Sequence, residues 1–195
     1  GTKGAPYRET DTPNPLNVYG KSKLAGEQAI LSVGGNSLIF RTAWLYSLRK
    51  DSFVTKVLRW ARKNESLRVV DDQISNPTWA RTLAGIFAQL FTPNVGHLHR
   101  WLAQRTGLYH LAGGGFASRY EWAKKILEFD PHPEQQVFPN VFPASTSDFP
   151  ALAVRPLFSA LDCTKFKNTF GLQLPPWEQT LALAMDELKD APLSI

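Results

Sequence analysis

Between Ser52 and Asn64 the apolar residues Phe53, Val54, Val57, Leu58 and Ala61 fall on one side of a helix, and Lys56, Arg59, Arg62 and Lys63 on the other. That spacing predicts an amphipathic helix whose late basic residues sit at the end that favours cations. Three short, mainly apolar runs are too brief for helices and predict strands: Ser37-Leu-Ile-Phe-Arg41, read as buried, Leu67 to Val70, and Leu108 to Ala112. A further helix is expected from Leu16 to Leu31, ended by Gly34–Gly35. Asn76–Pro77 reads as an N-cap and first-turn proline opening a helix over Trp79 to Phe91. Ser118-Arg-Tyr-Glu121 has the form of a capping box for a helix through Glu128. Residues 1–18, with Pro6, Pro13 and Pro15, read as loop, and after the proline-rich stretch 131–156 two short helices are expected near Asp162 to Phe170 and Pro176 to Lys189.

Strands alternating with helices predict an α/β fold with parallel pairing, followed by a looser, more helical last third. The 195 residues are 43% hydrophobic and 20% charged, which fits a packed core and excludes a disordered chain. No apolar run approaches the ~18 residues of a membrane span, and Gly1-Thr-Lys-Gly4 has no signal-peptide character, so no membrane partner is expected. The single cysteine, Cys163, excludes a disulfide within the chain and suits a reducing, cytoplasmic compartment. The net charge of +5 comes from basic residues scattered along the chain rather than gathered around a motif. Nucleic acid is therefore not an expected partner.

Tyr19-Gly-Lys-Ser-Lys23 lies inside the first predicted helix, where residues four apart are neighbours on one face. An ammonium beside a phenol favours the phenolate, the arrangement that makes a tyrosine a usable general acid or base. A tyrosine–lysine pair at this spacing is weak by itself, but its surroundings are specific. The run Pro15-Leu-Asn-Val-Tyr-Gly-Lys-Ser-Lys-Leu-Ala-Gly-Glu27 resembles the catalytic helix of extended short-chain dehydrogenases/reductases, most of all the dTDP-4-dehydrorhamnose reductase branch. Further blocks follow in the order of that branch: Arg41-Thr-Ala-Trp-Leu-Tyr46, Asp72-Gln73 with Pro77-Thr78, Gly107-Leu-Tyr-His-Leu-Ala112, and Phe149-Pro150, Ala153, Arg155-Pro156 and Ser159-Ala-Leu161.

The resemblance implies a partial Rossmann-like, doubly wound parallel sheet plus a smaller α+β substrate-binding lobe. Residues 1–50 and 76–112 would form the C-terminal half of the dinucleotide-binding domain, and 51–75 and 113–195 the substrate lobe. It implies NADPH or NADH as hydride donor and a dTDP-sugar as substrate, with a homodimer as one assembly. Tyr19 would be the proton donor, and Lys23 would assist it and hold the cofactor ribose. Arg155 resembles the arginine that grips the substrate diphosphate. Trp44 would be either a wall against the sugar or plain core. Other sugar-nucleotide epimerases and dehydratases share this fold, as do non-catalytic regulatory subunits, although a regulator has no need of both Tyr19 and Lys23.

The family's glycine-rich phosphate loop, and the Ser or Thr that completes its catalytic trio, come before the catalytic helix and are not in this sequence. An incomplete chain, inactive by itself, is the expectation. Gly113-Gly-Gly-Phe-Ala-Ser118 only imitates such a loop, and Ser75-Asn76 stands where the branch commonly has glycine. His97 and His99 lack clustered partners for a metal. Asp71-Asp72 would end a strand and anchor a loop or, less commonly, hold a hard cation. Cys163 reads as a small packed residue.

Overall fold

The structure is a computed structural model and describes residues 3–137 and 140–189. Its strands are β1 (Leu38–Arg41), β2 (Leu45–Tyr46), β3 (Leu67–Val70), β4 (Ile74–Ser75), β5 (Thr78–Trp79), β6 (Gly107–His110), β7 (Ala117–Ser118) and β8 (Val141–Ala144). Its α-helices are α1 (Val18–Val33), α2 (Phe53–Ala61), α3 (Ala80–Phe91), α4 (Leu98–Ala103), α5 (Arg119–Glu128), α6 (Thr164–Phe170) and α7 (Trp177–Asp186). Pairing is parallel for β1 with β6, β2 with β5 and β3 with β8, and antiparallel for β4 with β7. Parallel neighbours far apart in sequence require crossover connections, and the helices supply them, as in other α/β folds.

Among the described residues, two apolar cores organise the fold. In the first, Ile86 and Leu90 of α3, Trp101 of α4 and Phe166 of α6 close over Tyr109 of β6 and Leu111. In the second, the expected stripe of α2 (Val54, Val57, Leu58 and Ala61) is fully buried against Trp122 and Ile126 of α5 and Leu181 and Ala184 of α7. Trp122 is the hub of that core, with Phe53 at 4.8 Å and Trp44 stacked on it at 5.5 Å and 12°. Ser52 and Ser118 each cap a helix with a reciprocal box, to Thr55 and Glu121.

The structure corrects two local readings and adds a strand. Asn76–Pro77 does not open a helix: Pro77 leads into β5, α3 starts at Ala80, and the N-cap position is Trp79, without a side-chain cap. The Asn76 amide is turned inward, where it has partners of its own. The proline-rich stretch 131–156 holds β8, in register with β3, Leu67 opposite Val141 and Val70 opposite Ala144. Arg62, expected on the exposed face of α2, instead folds back 3.0 Å onto the fully buried carboxylate of Asp130.

Candidate active site

Helix α1 begins at Asn17, whose side-chain oxygen accepts the Gly20 N–H at 2.8 Å, an ordinary N-cap. The other end of the same amide donates to the Val154 carbonyl at 2.9 Å. One side chain thus fixes the start of the helix and ties it to the residue next to Arg155. Tyr19 and Lys23 follow one turn apart, both exposed, with the lysine ammonium 5.3 Å from the centre of the tyrosine ring. Further along, Glu27 takes a bidentate pair from Arg41 at 2.8 and 2.6 Å, joining the helix to the end of β1. None of the 16 residues of α1 is buried, so these polar ties set its position.

Trp44 lies between β1 and β2 with φ at +34°, an uncommon conformation for a bulky residue. Its carbonyl accepts the Thr78 N–H and its ring is half-buried on Trp122. The guanidinium of Arg119, the first residue of α5, lies 4.4 Å over the Trp44 ring and 5.2 Å from that of Phe53. Burial, and then the positive charge of Arg155, pull the Arg119 guanidinium down to about 10, which leaves it charged at neutral pH. Arg119 Nε donates to Gln73 Oε1 at 3.0 Å. Tyr19 and Lys23 are thereby linked through Asn17 to the Arg155 segment, and Arg155 acts electrostatically on the arginine that covers Trp44. Nothing in the sequence singles out Arg119, because it stands inside the Ser118–Glu121 capping box, whose pattern marks only a helix start.

The model of the RmlD substrate binding domain matches residues 1–190. The chain belongs to that family. A dTDP-4-dehydrorhamnose reductase of Sinorhizobium fredii is 39% identical over 181 residues, 92% of this chain and 60% of its own length. Among solved structures, a dTDP-4-dehydrorhamnose reductase from Clostridium acetobutylicum superposes with a TM-score of 0.83 at 28% identity, over 97% of this chain and 62% of that one. The enzyme of the same name from Bacillus anthracis, in complex with NADP, gives 0.79 at 34% identity, over 93% and 59%. The chain thus spans about three-fifths of the length of the relatives it matches. The likeness extends to α/β proteins such as the Thermus thermophilus UDP-glucose 4-epimerase in complex with NAD, at 18% identity and a TM-score of 0.71, where it shows the fold alone.

Within this family chain the glycine run 113–115 has a packing explanation. A β-carbon on Gly113 would lie 2.1 Å from the Pro77 carbonyl oxygen, so no side chain fits. The Gly113 and Gly114 amides donate to the Thr78 hydroxyl and the Pro175 carbonyl, and Asn76 Nδ2 donates to the Gly113 and Gly115 carbonyls. Those amides are committed inside the protein rather than turned toward a phosphate. Asp71 and Asp72 anchor chain segments: Asp71 accepts the Ser118 hydroxyl, and Asp72 the hydroxyls of Ser145 and Thr146 with the Thr146 N–H. Partial burial would raise the Asp72 carboxyl, but the Thr146 and Ser145 hydrogen bonds outweigh it and hold the group below its ordinary value. Burial pushes the Cys163 thiol up to about 11, where it stays protonated and packs against Ala112. His97 and His99 are exposed at the start of α4. His110, at the end of β6, is fully buried with Nδ1 3.0 Å from the Tyr7 carbonyl oxygen. Burial holds its ring below the usual imidazole value against the raising effect of Glu9.

Proposed function

We propose that the whole protein containing this chain reduces dTDP-4-dehydro-L-rhamnose to dTDP-L-rhamnose. The observation that carries this reading is the pair Tyr19 and Lys23, exposed together on a helix whose cap is tied to the Arg155 segment. NADPH or NADH, when bound, supplies the hydride for the carbonyl carbon. Tyr19 and Lys23 fit the nicotinamide-ribose end of such a cofactor, since a hydroxyl and an ammonium stand side by side and open to a ligand. The Tyr19 hydroxyl gives its proton to the developing alkoxide oxygen of the sugar, and the Lys23 ammonium faces the charge left on the phenol. Lys23 also has the reach and the donors to hold ribose hydroxyls. Arg155 takes the substrate diphosphate, and Trp44 offers an aromatic edge beside it.

The two-lobe division belongs to the same proposal, with 1–50 and 76–112 on the cofactor side and 51–75 and 113–195 on the substrate side. The two cores follow it in the main, although Phe166 and Leu174 pack into the first of them and Tyr46 and Trp79 into the second. A dTDP-sugar as ligand, a homodimeric assembly and a cytoplasmic location complete the reading. The test is NADPH oxidation by the whole protein with dTDP-4-dehydro-L-rhamnose, for which turnover is expected. Turnover of another sugar nucleotide with none of this one would overturn the assignment.

A further inference from the structure

We propose that Arg119, stacked on Trp44 and bracketed by Gln73, forms with Arg155 a two-arginine clamp for the diphosphate of a nucleotide ligand. The inference deepens the function proposed above and rests on it for the choice of a diphosphate among anions. The starting point is an electrostatic mismatch. Arg119 is half-buried against the rings of Trp44 and Phe53. Ile74 pairs with Ser118 on one side and Phe158 on the other, and its N–H donates to the Leu157 carbonyl, so the Arg119 and Arg155 segments flank one residue and the two like charges act on each other. It also occupies the first position of α5, the end of a helix that disfavours a cation. Among the described residues no carboxylate pairs with either arginine. The acidic groups nearby are committed elsewhere: Glu121 to the Ser118 N–H, Asp71 to the Ser118 hydroxyl, and Asp72 to Ser145 and Thr146. A buried charge without a counter-charge is costly, and an anion bridging both guanidiniums relieves the burial and the repulsion together.

The bracket shows that the guanidinium is aimed rather than merely accommodated. Asp72 accepts the Thr146 hydroxyl at 2.6 Å, and that oxygen in turn accepts Gln73 Nε2 at 3.1 Å. The Gln73 amide is therefore oriented with its nitrogen toward Thr146 and its oxygen toward Arg119 Nε. With Nε held, neither terminal nitrogen of Arg119 is occupied by a hydrogen bond among the described residues, which leaves a planar fork for two phosphate oxygens. Arg119 is thus a binding residue, and Gln73, Thr146 and Asp72 are positioning residues that act through it.

Calorimetry on the whole protein with inorganic pyrophosphate, dTDP and thymidine tests the clamp. Arg119→Met is expected to weaken pyrophosphate and dTDP by at least about tenfold and thymidine hardly at all, with Arg119→Lys in between. Should Arg119→Met fail to fold, Thr146→Val provides the second reading. It is expected to weaken pyrophosphate about threefold (~0.6 kcal/mol) with thymidine unchanged, and Thr146→Ser to keep wild-type affinity. Pyrophosphate affinity unchanged in Arg119→Lys and Thr146→Val would overturn the clamp. Pyrophosphate binding that depends on Arg119, in a protein that does not reduce the dTDP-sugar, would leave the clamp standing and remove the proposed function.

Discussion

His110 and Tyr19 illustrate how differently two polar side chains are used. His110 is sealed inside the protein in its neutral form, so folding excludes a proton that the unfolded chain accepts. Its folded value lies below the ordinary 6.5, and stability is therefore full above about that pH and falls as the pH drops through 6.5 toward the folded value. Urea unfolding at pH 7.5, 6 and 5 is expected to show this decline, and His110→Leu should flatten it. Tyr19 is the reverse case, 71% exposed and bonded to nothing that its removal would unsettle. In the whole protein Tyr19→Phe should leave thermal stability unchanged and lower kcat by roughly 10²-fold, the scale of lost general-acid catalysis. A wild-type rate in that variant would remove the proton-donor role.

The elements that could be read from sequence were those with a chemical marker at the end or a period in the middle. The Ser118–Glu121 box and the stripe of α2 are of this kind, and both formed where expected. Ser118 also donates to Asp71 at 2.5 Å, so Ser118→Ala removes a cap and a second anchor. A loss of about 1–2 kcal/mol is expected in chemical denaturation. Strands of two residues, such as β4 and β7, carry no period and were not readable. Strand β8 was hidden by Pro143, which an edge strand tolerates when its missing N–H faces away from the partner. The site divides in the same way. Tyr19, Lys23 and Arg155 enter the proposed site through ordered family blocks, whereas Arg119 enters it through Gln73 and Thr146, 46 and 27 positions away. Spacing along a chain cannot report a contact of that kind.

The described residues form two apolar cores, with helix α1 attached outside both. Trp122, in contact with Trp44, Tyr46 and Phe53, unites the second core, and Trp122→Ala should cost about 3–5 kcal/mol in denaturant unfolding. Helix α1 obeys other rules, because the Asn17 and Glu27 ties hold it where apolar burial does not. Apolar cores weaken on cooling, while an incompletely buried ion pair is screened by electrolyte. Amide exchange in α1 should therefore quicken between 0.1 and 1 M salt, while that in α5 changes little; equal responses in the two helices would show that α1 is held by more than its polar ties. The ionic medium, more than temperature, then governs how firmly the tyrosine–lysine pair is presented.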